Sequence, residues 1–121
     1  MNKRTNEAAL LREWTERLGL TDWKIRLQLD MNQEELAAKD ADGCTIFEES
    51  VKGAIIQIAK EDNDPMRLRE YNFEETLVHE LLHLKMCFLQ TDNENNLQDR
   101  IVHQIIDDFA RLLVEMKYKT N

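Results

Sequence analysis

Apolar positions along the chain follow a helical period at both ends and a strand period between them. Residues 6–18 place apolar side chains, Trp14 among them, at helical spacing, and Gly19 then ends the predicted helix. In residues 21–30 apolar and polar side chains alternate, with Trp23 on the apolar face, which is typical of a half-buried strand. The pattern predicts one helix followed directly by one strand, with both tryptophans in the core.

Two further strands are predicted after a polar connection. Residues 31–43 are mostly polar and read as a connection, with a short helix around residues 34–39. Residues 44–50 and 53–60 read as strands, and residues 51–53 between them suggest a hairpin turn. The last of these strands is apolar on both faces, so we expect it to be central or covered.

The final third of the chain predicts two long helices. Asp62-Asn63-Asp64-Pro65 is a strong loop signal. Asn72 then precedes a helical pattern that runs to about residue 89, and Glu75 three residues on completes a variant of the capping box. Thr91-Asp92-Asn93 interrupts this pattern and caps another helix over residues 94–117, which has a broad apolar face.

This order of elements predicts a single α+β domain over residues 1–121. A helix, a small and mostly antiparallel sheet of about three strands, and two long helices follow one another along the chain. Because the turn between the two long helices is short, we expect them to pack antiparallel.

Composition narrows the classes of protein. The chain is 42% hydrophobic and 33% charged, which is typical of a globular protein, and its net charge of -8 argues against nucleic-acid binding. No apolar stretch approaches transmembrane length, and no secretory signal is visible. Cys44 and Cys87 lie far apart and read as reduced thiols, so the sequence predicts a cytoplasmic protein without a membrane partner.

Candidate chemistry concentrates in His79-Glu80-Leu81-Leu82-His83, an H-E-x-x-H motif within the first long helix. Residues four apart share one helix face, so both imidazoles can reach one metal ion while Glu80 lies beside its open side. This pattern predicts a Zn²⁺-dependent hydrolase with two histidine ligands and a glutamate general base.

A catalytic zinc takes three protein ligands, and the antiparallel helix pair supplies candidates for the third. His103, nine residues beyond Glu94, should return alongside the motif, whereas Glu94 lies too close to the interhelical turn. Asp99 and Asp107 lie four residues on either side of His103, and either can hold a ligand imidazole by hydrogen bonding, with Asp107 slightly favoured. Tyr71 and Tyr118 are weaker candidates for stabilising an oxyanion.

The stretch FEETLVHELLHL at residues 73–84 resembles the small zinc metallopeptidases encoded by phages and prophages, which have a zincin-like fold. The stretch LQDRIVHQIIDDFA at residues 97–110 is similar to their last helix. In many relatives a glutamate is the third ligand, and aligning the helices places His103 at that position. A site with three histidine ligands instead resembles, in part, the metal site of the SprT-like proteases. The resemblance also implies that part of the strand at residues 53–60 lines the cleft and adds a peptide substrate as a further strand.

Three functions are compatible with the motif. The favoured one is a metallopeptidase that uses Glu80 to activate water for peptide hydrolysis. The second is a non-catalytic, metal-stabilised phage accessory or regulatory protein, whose closed site would be completed by Cys87, Asp99 or Asp107. The third is metal-dependent hydrolysis of a non-peptide substrate such as RNA, against which the acidic composition weighs.

Overall fold

A computed structural model of the protein describes residues 3–36, 42–60, 70–89 and 96–119. The regular elements in these residues are α1 (Lys3–Arg17), β1 (Lys24–Met31), β2 (Gly43–Glu48), β3 (Gly53–Ala59), α2 (Phe73–Lys85) and α3 (Leu97–Tyr118). Three short 3₁₀ turns lie at Gln33–Glu35, Glu49–Val51 and Cys87–Leu89. The predicted loop at residues 62–65, the predicted break at residues 91–93 and part of the predicted short helix lie outside the described residues. None of the described helices is long and apolar enough to cross a membrane.

The helix ends follow from local capping chemistry. Gly19 adopts a φ of 71°, a left-handed conformation that glycine reaches without a Cβ clash, and the chain leaves α1 there. Asn72 caps α2 by accepting a hydrogen bond from the N–H of Glu75 at 3.0 Å, as predicted. Asn96 caps α3 in the same way, and the described helix begins at Leu97, whereas residues 94 and 95 of the predicted helix lie outside the described residues. Helix α2 ends at Lys85, four residues before the predicted end.

The sheet is mixed and has the strand order β1-β3-β2. β2 and β3 are antiparallel, as their short connection requires, although this connection is a 3₁₀ turn followed by Lys52 in a left-handed conformation. β1 instead pairs in parallel with β3, so the sheet has one antiparallel and one parallel pair and is not mostly antiparallel. β3 is the central strand, as its two-sided apolar pattern predicted, and the α+β fold class is confirmed.

The hydrophobic core lies between the sheet and the helices. Trp14 of α1, Ile56 of β3, Leu77 and Leu81 of α2 and Ile106 of α3 are all at most 2% exposed and belong to one cluster. Trp23 is only partly buried, and it packs edge-on against Phe47 at the margin of this cluster. The core therefore fixes α2 between the sheet and α3.

Side-chain contacts show that α2 and α3 run antiparallel. Glu74 near the start of α2 accepts a hydrogen bond from Tyr118 at the end of α3, and the carbonyl of Leu89 accepts one from Gln98 at the start of α3. The predicted antiparallel arrangement is confirmed, and it brings the middle of α3 beside the H-E-x-x-H motif.

Candidate functional site

His79 and His83 lie on one face of α2 with their imidazoles in contact. Their Nε2 atoms are 3.2 Å apart, and the ring centroids are separated by 4.9 Å. The i, i+4 spacing creates this contact, and the capped, well-buried helix holds both backbones in place. Two nitrogen ligands of one tetrahedral zinc, each about 2.0–2.1 Å from the metal, stand about 3.3 Å apart. The observed separation fits that requirement.

Both imidazoles favour the neutral form that binds metals. Burial, together with the neighbouring His79 and His103, lowers the pKa of His83 to about 4. Burial also lowers the pKa of His79, as does His103, whereas Asp107 acts in the opposite direction. The lowered pKa values of both histidines favour the neutral imidazole, which is the form that coordinates a metal.

Asp107 contacts the ring nitrogen of His79 that does not face His83. Its Oδ1 lies 3.0 Å from Nδ1 of His79, so Nδ1 is the protonated donor and Nε2 carries the lone pair. A carboxylate that fixes the tautomer in this way is the usual outer partner of a zinc-bound histidine. Asp107, the slightly favoured of the two predicted aspartates, thus contacts one of the two motif histidines.

His103 lies next to the pair but extends into solvent. Its ring centroid is 4.8 Å from that of His83, and the two planes meet at 62°. The residue is exposed. In the part of the chain that the structure describes, no group of three or more His, Cys, Asp or Glu side chains is arranged so as to hold a metal ion as it stands. The structure thus brings two of the three predicted histidine ligands into contact and places His103 beside His83.

Glu80 is the buried carboxyl of the site. It is 5% exposed, and burial raises its pKa to about 7. The hydroxyl of Thr45 donates to Glu80 Oε1 at 2.7 Å and lies 3.1 Å from the Glu80 carbonyl oxygen, which opposes this rise. Glu80 Oε2 is 4.0 Å from Nε2 of His79. One carboxyl oxygen is thus fixed by β2 while the other faces the histidines.

Gly43 makes room for this carboxyl at the start of β2. A Cβ atom on Gly43 would stand 3.0 Å from Glu80 Oε2 and 3.1 Å from the backbone oxygen of Gln57. Such distances are tighter than ordinary van der Waals contact, so glycine allows β2 to approach α2 closely at this point. A cavity of about 270 Å³ opens here, and its lining includes Asp42, Gly43, Glu75, Thr76, His79, Glu80 and Asp107.

Sequence reasoning did not identify Gly43 and Thr45, because nothing local in a strand pattern tells which helix residue it will face. The other candidates lie elsewhere or have other contacts. Tyr71 donates its hydroxyl to the carbonyl of Ala59 at 2.9 Å, and Tyr118 donates to Glu74. The thiol of Cys87 lies beside Glu49, and burial raises its pKa.

Asp99 is 6% exposed in the first turn of α3, where its backbone N–H donates to the capping side chain of Asn96 at 2.8 Å. Neither Cys44 nor Cys87 forms a disulfide in the structure. Comparison of the chain with protein-family models, with curated proteins and with solved structures returned no match.

Proposed function

We propose that the protein is a zinc metallopeptidase in which His79, His83 and His103 hold the metal and Glu80 is the general base. The observation that carries this proposal is the 3.2 Å separation of the Nε2 atoms of His79 and His83, with His79 held by Asp107. This separation suits two ligands of tetrahedral zinc, and the outer carboxylate is the accessory group that such ligands use. The resemblance of both helices to phage metallopeptidases points the same way.

The third ligand of the proposed site is His103. This residue is exposed, and its ring centroid lies 4.8 Å from that of His83. A bound zinc ion supplies a Lewis acid that polarises a carbonyl and makes water more acidic. The residues of the chain supply the ligands, the proton acceptor and the binding surface.

The position and the pKa of Glu80 suit a group that first accepts a proton and then donates it. Its Oε2 faces the histidine pair, so it accepts a proton from water as the water oxygen attacks the carbonyl carbon of the peptide. The same oxygen then gives this proton to the departing amide nitrogen as the C–N bond breaks. Because burial raises its pKa to about 7, both the accepting and the donating form are accessible near neutral pH.

The strand that lines the proposed cleft is β2 and not the strand at residues 53–60. β3 is paired on both sides, with β1 and with β2, so its backbone has no edge at which a peptide can add. β2 is an edge strand of the sheet, and its Thr45 and Gly43 contact Glu80. An extended peptide that pairs along β2 would therefore pass the carboxyl of Glu80.

Two other functions fit the geometry less well. A closed, non-catalytic site needs a fourth protein ligand. Asp107 contacts the outer nitrogen of His79 and not the nitrogen that faces His83, and Cys87 lies beside Glu49. For a nuclease, the carboxylates of Asp42, Glu75 and Asp107 around the cavity would repel phosphate. A buried general base beside the histidines serves peptide hydrolysis better.

Metal content on wild type and on His103→Ala tests the proposal. We expect about one zinc per chain in the wild type. The zinc affinity of His103→Ala should be lower by about a hundredfold or more, because losing a direct ligand weakens binding more than losing an outer partner does. Competition with a chromophoric chelator measures the affinity, and cobalt substitution reports the number of ligands. Gln104→Ala, at the next exposed position, is the matched control.

Equal, tight zinc binding by wild type and His103→Ala would remove His103 from the site. A wild type that holds no zinc at saturating metal would overturn the proposal as a whole.

Asp107→Ala should lower zinc affinity by about tenfold to a hundredfold, because His79 loses the carboxylate that fixes its tautomer and orientation. The same chelator competition measures the change. Asp108→Ala is the control, since Asp108 is the adjacent carboxylate and pairs with Arg111 at 3.0 Å. A similar loss in both variants would mean that general negative charge, and not the contact with His79, is responsible.

A further inference from the structure

Helix α3 carries an exposed apolar stripe on the side away from the candidate site. Leu97, Ile101, Phe109, Leu112 and Met116 are 48–69% exposed, and Ile105 lies among them at helical spacing. At 100° per residue these six positions form one band along the helix, while His103 and Asp107 lie on nearly the opposite side. The residues of α3 that enter the core lie between the stripe and the candidate site: Val102 adjoins the stripe, and Ala110 and Val114 lie beside His103 in angle around the helix.

The size of this stripe is that of an interaction surface. An apolar side chain of this size offers on the order of 150 Å² when fully exposed, so the five most exposed residues present roughly 400 Å². Two such stripes packed together remove about 800 Å² of apolar surface from water, and the flanking polar side chains add to this. The total approaches the ~1,200 Å² at which specific protein interfaces begin.

The charges beside the stripe match an antiparallel pairing of two identical helices. Arg100 flanks the beginning of the stripe, and Glu115 flanks its end on the same side. With a two-fold axis between residues 107 and 108, Arg100 of each copy lies opposite Glu115 of the other, so the ion pair forms twice. Asp108, near the axis, already has its charge balanced by Arg111 of its own helix at 3.0 Å.

A second copy fits this surface better than an anionic membrane does. The net charge of -8 opposes approach to a negatively charged bilayer. The stripe has apolar side chains at both ends and in the middle, so it is complementary to itself when reversed.

We propose that the protein forms a homodimer through antiparallel packing of the α3 stripes, which leaves both candidate sites facing outward. The proposal does not depend on the proposed enzymatic activity. Sedimentation velocity of the full chain over a range of concentrations should show a species of twice 14.4 kDa, with a dissociation constant on the order of micromolar for an interface of this size.

Substitutions at exposed positions test whether the dimer forms through the stripe or through another part of the surface. Phe109→Glu and Leu112→Glu should each shift the protein to monomer, because a charge would be buried in the interface. Phe88→Glu is the matched control, since Phe88 is 72% exposed outside the stripe, and it should leave the dimer intact. Circular dichroism checks that every variant is folded.

Reversal of the flanking charges tests the antiparallel pairing itself. Arg100→Glu and Glu115→Arg should each raise the dissociation constant roughly tenfold, and the double reversal should bring it back towards the wild-type value. A wild type that stays monomeric at several hundred micromolar, or a dimer that survives both stripe substitutions, would overturn the proposal. Failure of the double reversal to restore association would overturn the antiparallel register.

Discussion

Glu80→Gln should reduce peptide hydrolysis by about a thousandfold while leaving zinc binding intact, because the amide cannot accept the proton of the attacking water. Glutamine has the shape of glutamate, and its oxygen can still accept the hydrogen bond of Thr45 that holds Oε1 at 2.7 Å. Turnover is measured by mass spectrometry on a peptide library. The library includes Lys and Arg at many positions because Asp42, Glu75 and Asp107 line the cavity.

Glu75→Gln is the matched control for this substitution. Glu75 lies four residues before His79 on α2 and lines the same cavity, and its charge acts on His79, but Glu80 is the carboxyl whose Oε2 lies 4.0 Å from Nε2 of His79. We expect a much smaller loss of turnover. Cleavage by Glu80→Gln at the wild-type rate would contradict the assignment of Glu80 as general base. A zinc-loaded wild type that cleaves none of the library would favour the metal-stabilised, non-catalytic function.

The same substitution should stabilise the metal-free protein at neutral and higher pH. Burial raises the pKa of Glu80 from its ordinary value of 4.5 to about 7, so the folded state holds this proton more tightly than the unfolded state does. The folded state therefore loses stability as pH rises from about 4.5 to about 7, by on the order of 3 kcal/mol, and glutamine avoids this loss. Urea denaturation with a chelator present measures the free energy of unfolding at pH 4.5 and pH 8. Relative to the wild type, Glu80→Gln should be more stable at pH 8 than it is at pH 4.5.

The second large effect concerns Glu74, where we expect Glu74→Ala to lower the free energy of unfolding by about 3–5 kcal/mol. Glu74 is 7% exposed and accepts hydrogen bonds from Trp14 Nε1 at 2.6 Å, Lys117 Nζ at 2.6 Å and the Tyr118 hydroxyl. These donors come from α1 and α3, so one carboxylate ties three helices together. Its removal leaves a buried indole N–H and a largely buried ammonium group without this acceptor.

Glu13→Ala is the control, because Glu13 binds the same ammonium group at 2.9 Å but is more exposed. We expect a loss of about 1 kcal/mol or less there, since partly solvated ion pairs contribute little. Equal losses in the two variants, measured by urea denaturation, would contradict a special role of the buried carboxylate.

The contribution of Glu74 should also depend on pH. Burial raises its pKa, but the hydrogen bonds from Lys117, Tyr118 and Trp14 outweigh burial and lower it below the ordinary value. A carboxyl whose folded pKa is lowered stabilises the fold above its unfolded pKa and loses this contribution as pH falls through the folded pKa. The stability difference between wild type and Glu74→Gln should therefore shrink on acidification.

Local patterns predicted the elements well because capping and periodicity act over a few residues. Asn72 caps α2 by the interaction its position suggested, and Gly19 ends α1 in a left-handed conformation. The strict alternation of residues 21–30 gave β1, although its described start is Lys24. The parallel pairing of β1 with β3 could not be predicted, because alternation specifies which face of a strand is buried and not which neighbour it has.

Part of the candidate site was likewise accessible to sequence reasoning. The i, i+4 spacing of His79 and His83 requires that they share a helix face, and the short interhelical connection returns His103 beside them. The sequence left two aspartates as outer partners, and the register of α2 against α3 brought Asp107 to His79. That register is set by packing along the whole helix pair, which no single motif encodes.

By itself the sequence determined the helix that carries the motif, the common face of its two histidines and the place of Glu80 between them, since these depend only on helical geometry and local caps. Tertiary structure alone decided that Thr45 and Gly43 of β2 meet Glu80 and that the edge strand beside the site is β2. It also decided the raised pKa of Glu80, which results from burial under the sheet. These features arise where strand and helix pack together, and packing brings together residues far apart in the chain whose contact no local pattern specifies.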